Sequence, residues 1–295
     1  TATITFSSDL GMMKEIKQTN PDVKVILVGT HVTILPNETM KEKDIDYIIV
    51  GEPDLVLRDL LIALEEGKDV GKIKGVGYRK DGKIIITGVA DNIKDLDSLP
   101  FPARELVPNA EYFNPMAKRL PYTTMLSSRG CPFRCIFCTS GLLYGKAYRF
   151  RSAKNVVDEM EDCAKHGIKE IFFRDETFTC NKERIFEICE EIKQRKINMT
   201  WMCNARVDTV TEDMLLAMKK AGCHTVKFGV ESGSQKILDT LKKGTTVESI
   251  INAFKWSRKA KLTTVAHFMI GSPGETKETL NETLKLLKII KPDYA

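Results

Sequence analysis

No apolar run in this 295-residue chain approaches the about 20 residues needed to cross a bilayer as a helix. No charged, apolar-cored leader opens it either; it begins at Thr1 rather than Met, so further sequence is expected upstream. Charge of one sign is missing too. The 45 Lys and Arg nearly balance the 40 Asp and Glu, leaving a net +5 with no concentrated basic face, so no nucleic-acid partner is expected. No cysteine precedes Cys131, and the eight present show no paired spacing, which argues against a disulfide-stapled secreted scaffold and for a reducing cytoplasm. The remainder, 42% hydrophobic and 29% charged, describes a globular chain long enough for two domains or one large barrel.

The cysteines carry the sharpest signal. Cys131, Cys135 and Cys138 stand at the spacing C-x3-C-x2-C, in a loop after the apolar run Tyr122–Leu126. Three thiolates on so tight a loop suit three irons of a [4Fe–4S] cluster. A fully ligated cluster takes four cysteines. No fourth lies near, which leaves one iron open for chemistry. Zinc would need a fourth ligand or a catalytic water, and zinc ribbons usually show two C-x2-C pairs. A disulfide would strand one of the three. Cys163, Cys180, Cys189, Cys203 and Cys223 read as small core residues.

Taken in order, Thr1–Ser8 alternates like a strand, and Asp9–Thr19 carries Leu10, Met13 and Ile16 on one helical face. Strand Val23–Val28 ends on Gly29-Thr30-His31. A short helix over Pro36–Lys43, strand Tyr47–Val50 and helix Asp54–Glu66 follow, with Gly67 as the stop. This alternation predicts a doubly wound, Rossmann-like α/β domain over 1–95, with ligands beyond the carboxyl ends of its strands. Asp81-Gly82 between two apolar runs predicts a hairpin over Ile73–Thr87. Residues 96–120, with Pro100 and Pro102 about Phe101, read as a linker.

From 121 to 295 a strand–helix unit repeats: strands Tyr122–Leu126, Glu170–Arg174, Met199–Asn204, Thr225–Val230 and Thr263–Ile270 each precede a helix, and Pro292–Ala295 opens a sixth. Asn181 is expected as an N-cap, and Thr245-x-x-Glu248 as a capping box. Each strand ends on a polar or glycine-bearing loop, where a parallel barrel collects its chemistry.

The triad, with Phe137 just before its last cysteine, resembles the signature of the radical S-adenosylmethionine (SAM) superfamily. The resemblance implies an open (β/α)6 partial TIM barrel over 121–295, cut short at its end. It also implies a [4Fe–4S] cluster on Cys131, Cys135 and Cys138 whose open iron chelates SAM, and reductive cleavage of SAM to a 5′-deoxyadenosyl radical. By the same likeness Asp175 and Glu176 face the SAM amine and Glu231 the ribose. Arg206 and Lys243 are candidates for the carboxylate, Arg206 equally for an ion pair with Asp208 or Glu176. Phe137 and Gly271 line the adenine pocket.

The turns Gly29-Thr30-His31-Val32-Thr33 and Gly51-Glu52-Pro53-Asp54 are similar to Gly-Gly-x-His-x-Thr and Gly-Glu-x-Glu of the cobalamin-binding domain ahead of many radical SAM cores. Val28 and Asp54 depart from that pattern. The likeness places Gly29, Thr30, His31, Thr33, Gly51 and Glu52 near the corrin, His31 pinning its turn rather than binding cobalt. It also marks the domain as lacking strand–helix units upstream. The function implied is cobalamin-dependent methylation of an unactivated carbon of a small molecule, with a reductant such as flavodoxin or ferredoxin. Oxidative cyclisation, as in the anaerobic magnesium-protoporphyrin monomethyl ester cyclase group, is the alternative. A methylthiotransferase would need a second cysteine triad upstream. A non-catalytic iron–sulfur or cobalamin-binding sensor or electron carrier would not need polar residues at four strand ends.

Overall fold

The computed structural model describes Thr1–Ala295, which divides into two compact units, Thr1–Lys94 with Thr139–Ala147 and Asp95–Cys138 with Tyr148–Ala295. The first unit opens with α1 (Phe6–Thr19), β1 (Ile26–Leu27), α2 (Thr30–Ile34), α3 (Pro36–Thr39), β2 (Tyr47–Ile49) and α4 (Asp54–Glu65). A hairpin of β3 (Val76–Lys80) and β4 (Lys83–Ile86) completes its sheet. The strand order is β1-β2-β3-β4, with β1–β2 parallel and the other pairs antiparallel. The hairpin turn takes positive φ at both Asp81 (51°) and Gly82 (73°), as a type I′ turn requires.

Two sequence expectations fail here. Thr1–Ser8 is not a strand: residues 1–5 have no ladder partner, and helix begins at Phe6. Alternating threonines favour a strand only where a neighbour completes the hydrogen bonds. The turn after β1 is likewise not a plain loop, because Thr30–Ile34 coils into α2 and buries His31 and Val32.

The second unit contains β5 (Tyr122–Met125), a small ribbon of β6 (Ser128–Arg129) and β7 (Arg149–Phe150), α6 (Ala153–Lys165) and β8 (Glu170–Phe173). Between β6 and β7 the chain makes the excursion that carries α5 (Ser140–Leu143), grouped with the first unit. Then come α7 (Lys182–Gln194), β9 (Thr200–Ala205), α8 (Glu212–Lys220), β10 (Cys223–Glu231), α9 (Gln235–Thr240), α10 (Val247–Lys259), β11 (Thr263–Phe268) and α11 (Lys277–Ile290). The sheet is wholly parallel in the order β11-β10-β9-β8-β5, and Tyr294 adds a parallel bridge to Val265 where the sixth strand is expected.

Alternate residues divide the faces of this sheet. Ile171, Phe173, Trp201, Cys203, Val226, Phe228 and Ala266 join the helices in one core, while Phe172, Met202, Asn204 and Lys227 lie on the other face. Cys163, Cys189, Cys203 and Cys223 are buried, and burial pushes the Cys163 and Cys189 thiols up to about 12. Caps start the helices. Ser152 accepts from the Asn155 amide, and Asn181 from that of Arg184. The capping box lies one residue later than expected: Thr246 caps and Ser249 reciprocates, while Thr245 turns inward.

Residues 96–120 are not a loose tether. They belong to the second unit, where Arg104 is buried, donates to the Thr124 carbonyl (3.1 Å) and pairs with Glu159 (2.5 Å).

Candidate active site

The cysteine loop is held from behind by arginines. Arg151 donates to the Leu126 carbonyl (3.0 Å) and pairs with Glu159, and Arg184 donates to the Ser127 carbonyl (2.8 Å). Asp175, at the tip of β8, is fully buried and accepts from the Ser127 amide (3.1 Å), the Ser127 hydroxyl (2.8 Å) and the Ser128 hydroxyl. Burial raises its carboxyl above the ordinary range against the pull of those hydrogen bonds and of Arg184. Its side chain is thus committed to fixing the loop, contrary to the role expected of it toward a SAM amine.

Glu176 is different. Its Oε2 is buried without a hydrogen-bond partner. Burial holds its pKa up, reinforced by the Asp175 charge and opposed by Arg129 and Arg149. An orphaned buried carboxylate oxygen costs stability, which a ligand's ammonium would relieve. Ser272 Oγ after β11 and Thr245 Oγ1 share this unpartnered condition.

Arg206 follows β9 and is 5% exposed. It grips Asp208 through Nε (2.9 Å) and Nη2 (2.8 Å), and donates to the Lys243 carbonyl (2.6 Å). Its guanidinium also lies 3.5 Å from the Phe133 ring centroid and donates from Nη1 to Cys135 Sγ (3.6 Å). Of the two roles open to it, the ion pair with Asp208 forms. The remaining face of the cation bears on the cysteine loop. On the same loop the Ile136 amide donates to the Leu241 carbonyl (3.1 Å), and Cys131 Sγ lies 3.8 Å from Thr177 Oγ1.

Glu231 ends β10 with φ +64° at a bulge, where the β10–β11 register shifts. Its Oε1 accepts from Lys243 Nζ (2.8 Å), and both side chains are buried. Gly229 makes room for this pair: a Cβ there would lie 2.5 Å from Glu231 Oε1 and 2.8 Å from Lys243 Nζ. Phe137 is 38% exposed, its ring 5.9 Å from Lys243 Nζ. Gly271 has φ +88° and an open Cβ position, its amide donating to Glu275 (2.5 Å). Arg206, Lys243, Glu231 and Phe137 are therefore linked by direct contacts to one another or to the cysteine loop. Asp175 and Glu176 adjoin that loop through Ser127 and Ser128, and Gly271 shows no such link.

Sequence reasoning passed over Thr177 and Phe133, whose partners are distant in sequence, and Gly229, whereas Asp208 is among the partners expected of Arg206 and is the one it takes. Cys180 was read as core, yet it is half-buried near Cys131; burial first, and the Cys131 charge second, push its pKa up to about 11.

The donor set fits a SAM-binding four-iron cluster. Three thiols outside any disulfide, two partly exposed and one exposed, share one braced loop, and a buried carboxylate oxygen nearby lacks a partner. No three His, Cys, Asp or Glu side chains gather tightly enough for a single metal ion; a four-iron cluster instead sets each thiolate on its own iron.

The turns expected to face a corrin spend their polar groups internally. Thr33 accepts from the Gly51 amide (3.1 Å) and Glu52 from that of Ile93 (3.2 Å), while His31 stacks on Phe6 at 4.0 Å and lies 3.2 Å from Thr3 Oγ1. Thr30 starts α2, and Gly29 (φ +117°) is required by the chain itself, since a Cβ there would meet the Thr1 backbone at 2.6 Å.

No helix is long and apolar enough to cross a membrane. The chain is 39% identical over 284 residues to an uncharacterized methyltransferase of Pyrococcus horikoshii, covering 96% of this chain and 61% of that protein. It is 34% identical over 288 residues to the anaerobic magnesium-protoporphyrin IX monomethyl ester cyclase of Rubrivivax gelatinosus, covering 95% and 51%. The chain thus spans little more than half the length of these relatives. Its fold is that of the radical SAM methyltransferase TsrM from Kitasatospora setae, solved with cobalamin and a [4Fe–4S] cluster bound. The TM-score is 0.81 at 20% identity, over 99% of this chain and 58% of that one. The model of the Radical SAM superfamily matches residues 125–287, more than half of the sequence, and the chain belongs to that superfamily of enzymes.

Proposed function

We propose that this chain is the core of a cobalamin-dependent radical SAM methyltransferase, with Cys131, Cys135 and Cys138 holding a [4Fe–4S] cluster. The observation that carries this reading is the braced cysteine loop beside the unpartnered Oε2 of Glu176. When bound, cluster and SAM supply reductive cleavage of the sulfonium and hydrogen abstraction from carbon. The chain's own residues do the rest. Asp175, Arg151 and Arg184 fix the loop backbone. Arg206 orients Cys135 through its Nη1 contact with the sulfur. Glu176 accepts from the ammonium of SAM. Lys243 holds Glu231 through its ion pair, turned toward the ribose hydroxyls, and Phe137 offers a flat surface to adenine, closed by the backbone near Gly271.

Cobalamin enters by likeness of architecture and the two turns after β1 and β2, so no step is assigned to residues there. The substrate is a small molecule, the reductant a flavodoxin or ferredoxin, and the setting the cytoplasm. The test is anaerobic: reconstitute iron and sulfide, add dithionite and SAM, and assay 5′-deoxyadenosine. Its formation is expected; its absence from protein with an intact cluster sinks the reading. The cyclase relative favours a second reading, oxidative ring closure. Methyl-labelled SAM separates the two, since only methylation leaves label in the substrate.

A further inference from the structure

The sheet face turned away from the helices carries two cations that no acid neutralises. Lys227 on β10 and Arg174 just after β8 both lie over the Phe172 ring, Nζ at 4.4 Å and Cζ at 5.0 Å from its centroid. Strand register sets Lys227 beside Asn204 of β9, and Phe172 beside Met202. The two cations therefore stand above a floor of Phe172 and Met202, which are buried although they are outside the helix-side core. Neither cation has an ion pair or a side-chain hydrogen bond. Of the acids near in sequence, Asp175 is engaged with Ser127 and Ser128, Glu231 with Lys243, and Glu176 feels the charges of Arg129 and Arg149 and forms no ion pair with Arg174. Burial, and Arg174 after it, push the Lys227 ammonium below the ordinary lysine range. Two like charges over one ring repel, and cation–π attraction offsets only part of that cost. An anion between them would turn the repulsion into two charge-assisted hydrogen bonds.

The geometry points to a substrate subsite in which Arg174 and Lys227 clasp an oxyanion, a carboxylate or a phosphoryl group, above Phe172. This rests on the reading above, deepening it to a substrate class: small molecules carrying such an anion. A fork-shaped guanidinium and a point-charge ammonium on adjacent arcs of one sheet would fix its orientation. The subsite is distinct from the residues proposed for SAM, Glu176, Glu231, Lys243 and Phe137.

The test uses the cluster-reconstituted protein titrated by calorimetry with inorganic phosphate in one arm and acetate in the other. Saturable binding in either arm is expected, and the arm that saturates names the anion. Arg174→Gln and Lys227→Gln should each weaken that binding about tenfold or more, while Lys227→Arg, which keeps the charge, should restore most of it. Saturation in neither arm, equal binding in the glutamine variants, or no rescue by Lys227→Arg overturns the proposal. So does displacement of the probe by SAM, which would assign the cations to the cosubstrate's own carboxylate. Dithionite-driven SAM cleavage by the unmutated protein is scored separately. Its failure removes the catalytic reading and leaves the anion titration standing; a failed titration in protein that cleaves SAM removes the subsite alone.

Discussion

The strand tips of the two units handle polar groups in opposite ways. After β1 and β2, Thr33, His31 and Glu52 are each bonded within the unit. Around the tips of β8 and β11, Glu176 Oε2 and Ser272 Oγ are buried with no partner. A fold relieves itself of orphaned polar groups unless something outside the chain satisfies them. The first arrangement is what packing alone produces. The second marks where the chain gives up stability for a ligand.

If so, substitutions at the second unit's tips should move ligand readouts, and substitutions elsewhere should move stability. The largest expected effect is at the loop itself. Cys135→Ala should abolish the cluster's charge-transfer absorption and 5′-deoxyadenosine formation, with the unfolding midpoint nearly kept, because Cys135 is only partly buried. A cluster that still assembles in this variant would break the comparison at its root.

At the opposite end of the same strands lies a purely structural charge. Glu170 is fully buried, 2.9 Å from His224 Nε2, and accepts from Thr200 Oγ1 (2.8 Å) and the Lys118 and Arg119 amides (2.9 Å each). Burial pushes its pKa up, but the bonds from His224, Thr200 and Arg119 outweigh it and hold the carboxyl below its ordinary 4.5. A depressed carboxyl stabilises fully above the ordinary value, and the contribution fades as pH falls toward the folded one. Denaturant titrations should show Glu170→Gln costing about 3 kcal/mol at neutral pH, with the gap to the parent protein narrowing below pH 4.5. A gap that does not depend on pH would show the charge to be irrelevant.

Glu176→Gln should be smaller and opposite in kind. Removing a buried charge with an orphaned oxygen should leave the unfolding midpoint unchanged or raised, while SAM affinity falls about tenfold as the ammonium loses a charged acceptor. Equilibrium dialysis with SAM reads this directly. Lost stability with full SAM affinity would move Glu176 into the structural class.

These contrasts explain what was readable beforehand. Periodicity located all five parallel strands, because each alternates between a helix-side core and a second face, and the cysteine spacing is local by nature. The adjacent acids Asp175 and Glu176 looked alike in sequence. Only the fold shows one buried against Ser127 and Ser128 and the other with one oxygen lacking a partner. Arg206 offered two roles, which a stacking partner 73 residues earlier, Phe133, and Asp208 two residues later decide between. The capping box slipped because Thr245 and Thr246 are equivalent to a pattern but not to a helix start. The segment about Arg104 looked like a linker because its partners, Thr124 and Glu159, are distant in sequence.

The smallest effect is expected in the first unit. Thr33→Val removes the acceptor of the Gly51 amide while keeping the side chain's shape, and a partly buried donor left unpaired should cost about 1 kcal/mol. Hydrogen exchange at Gly51 should quicken in step, since its amide then opens more readily. Unchanged stability and exchange would mean that the β1 and β2 tips are no better satisfied than those of β8 and β11. The contrast would then rest on the cysteine loop alone.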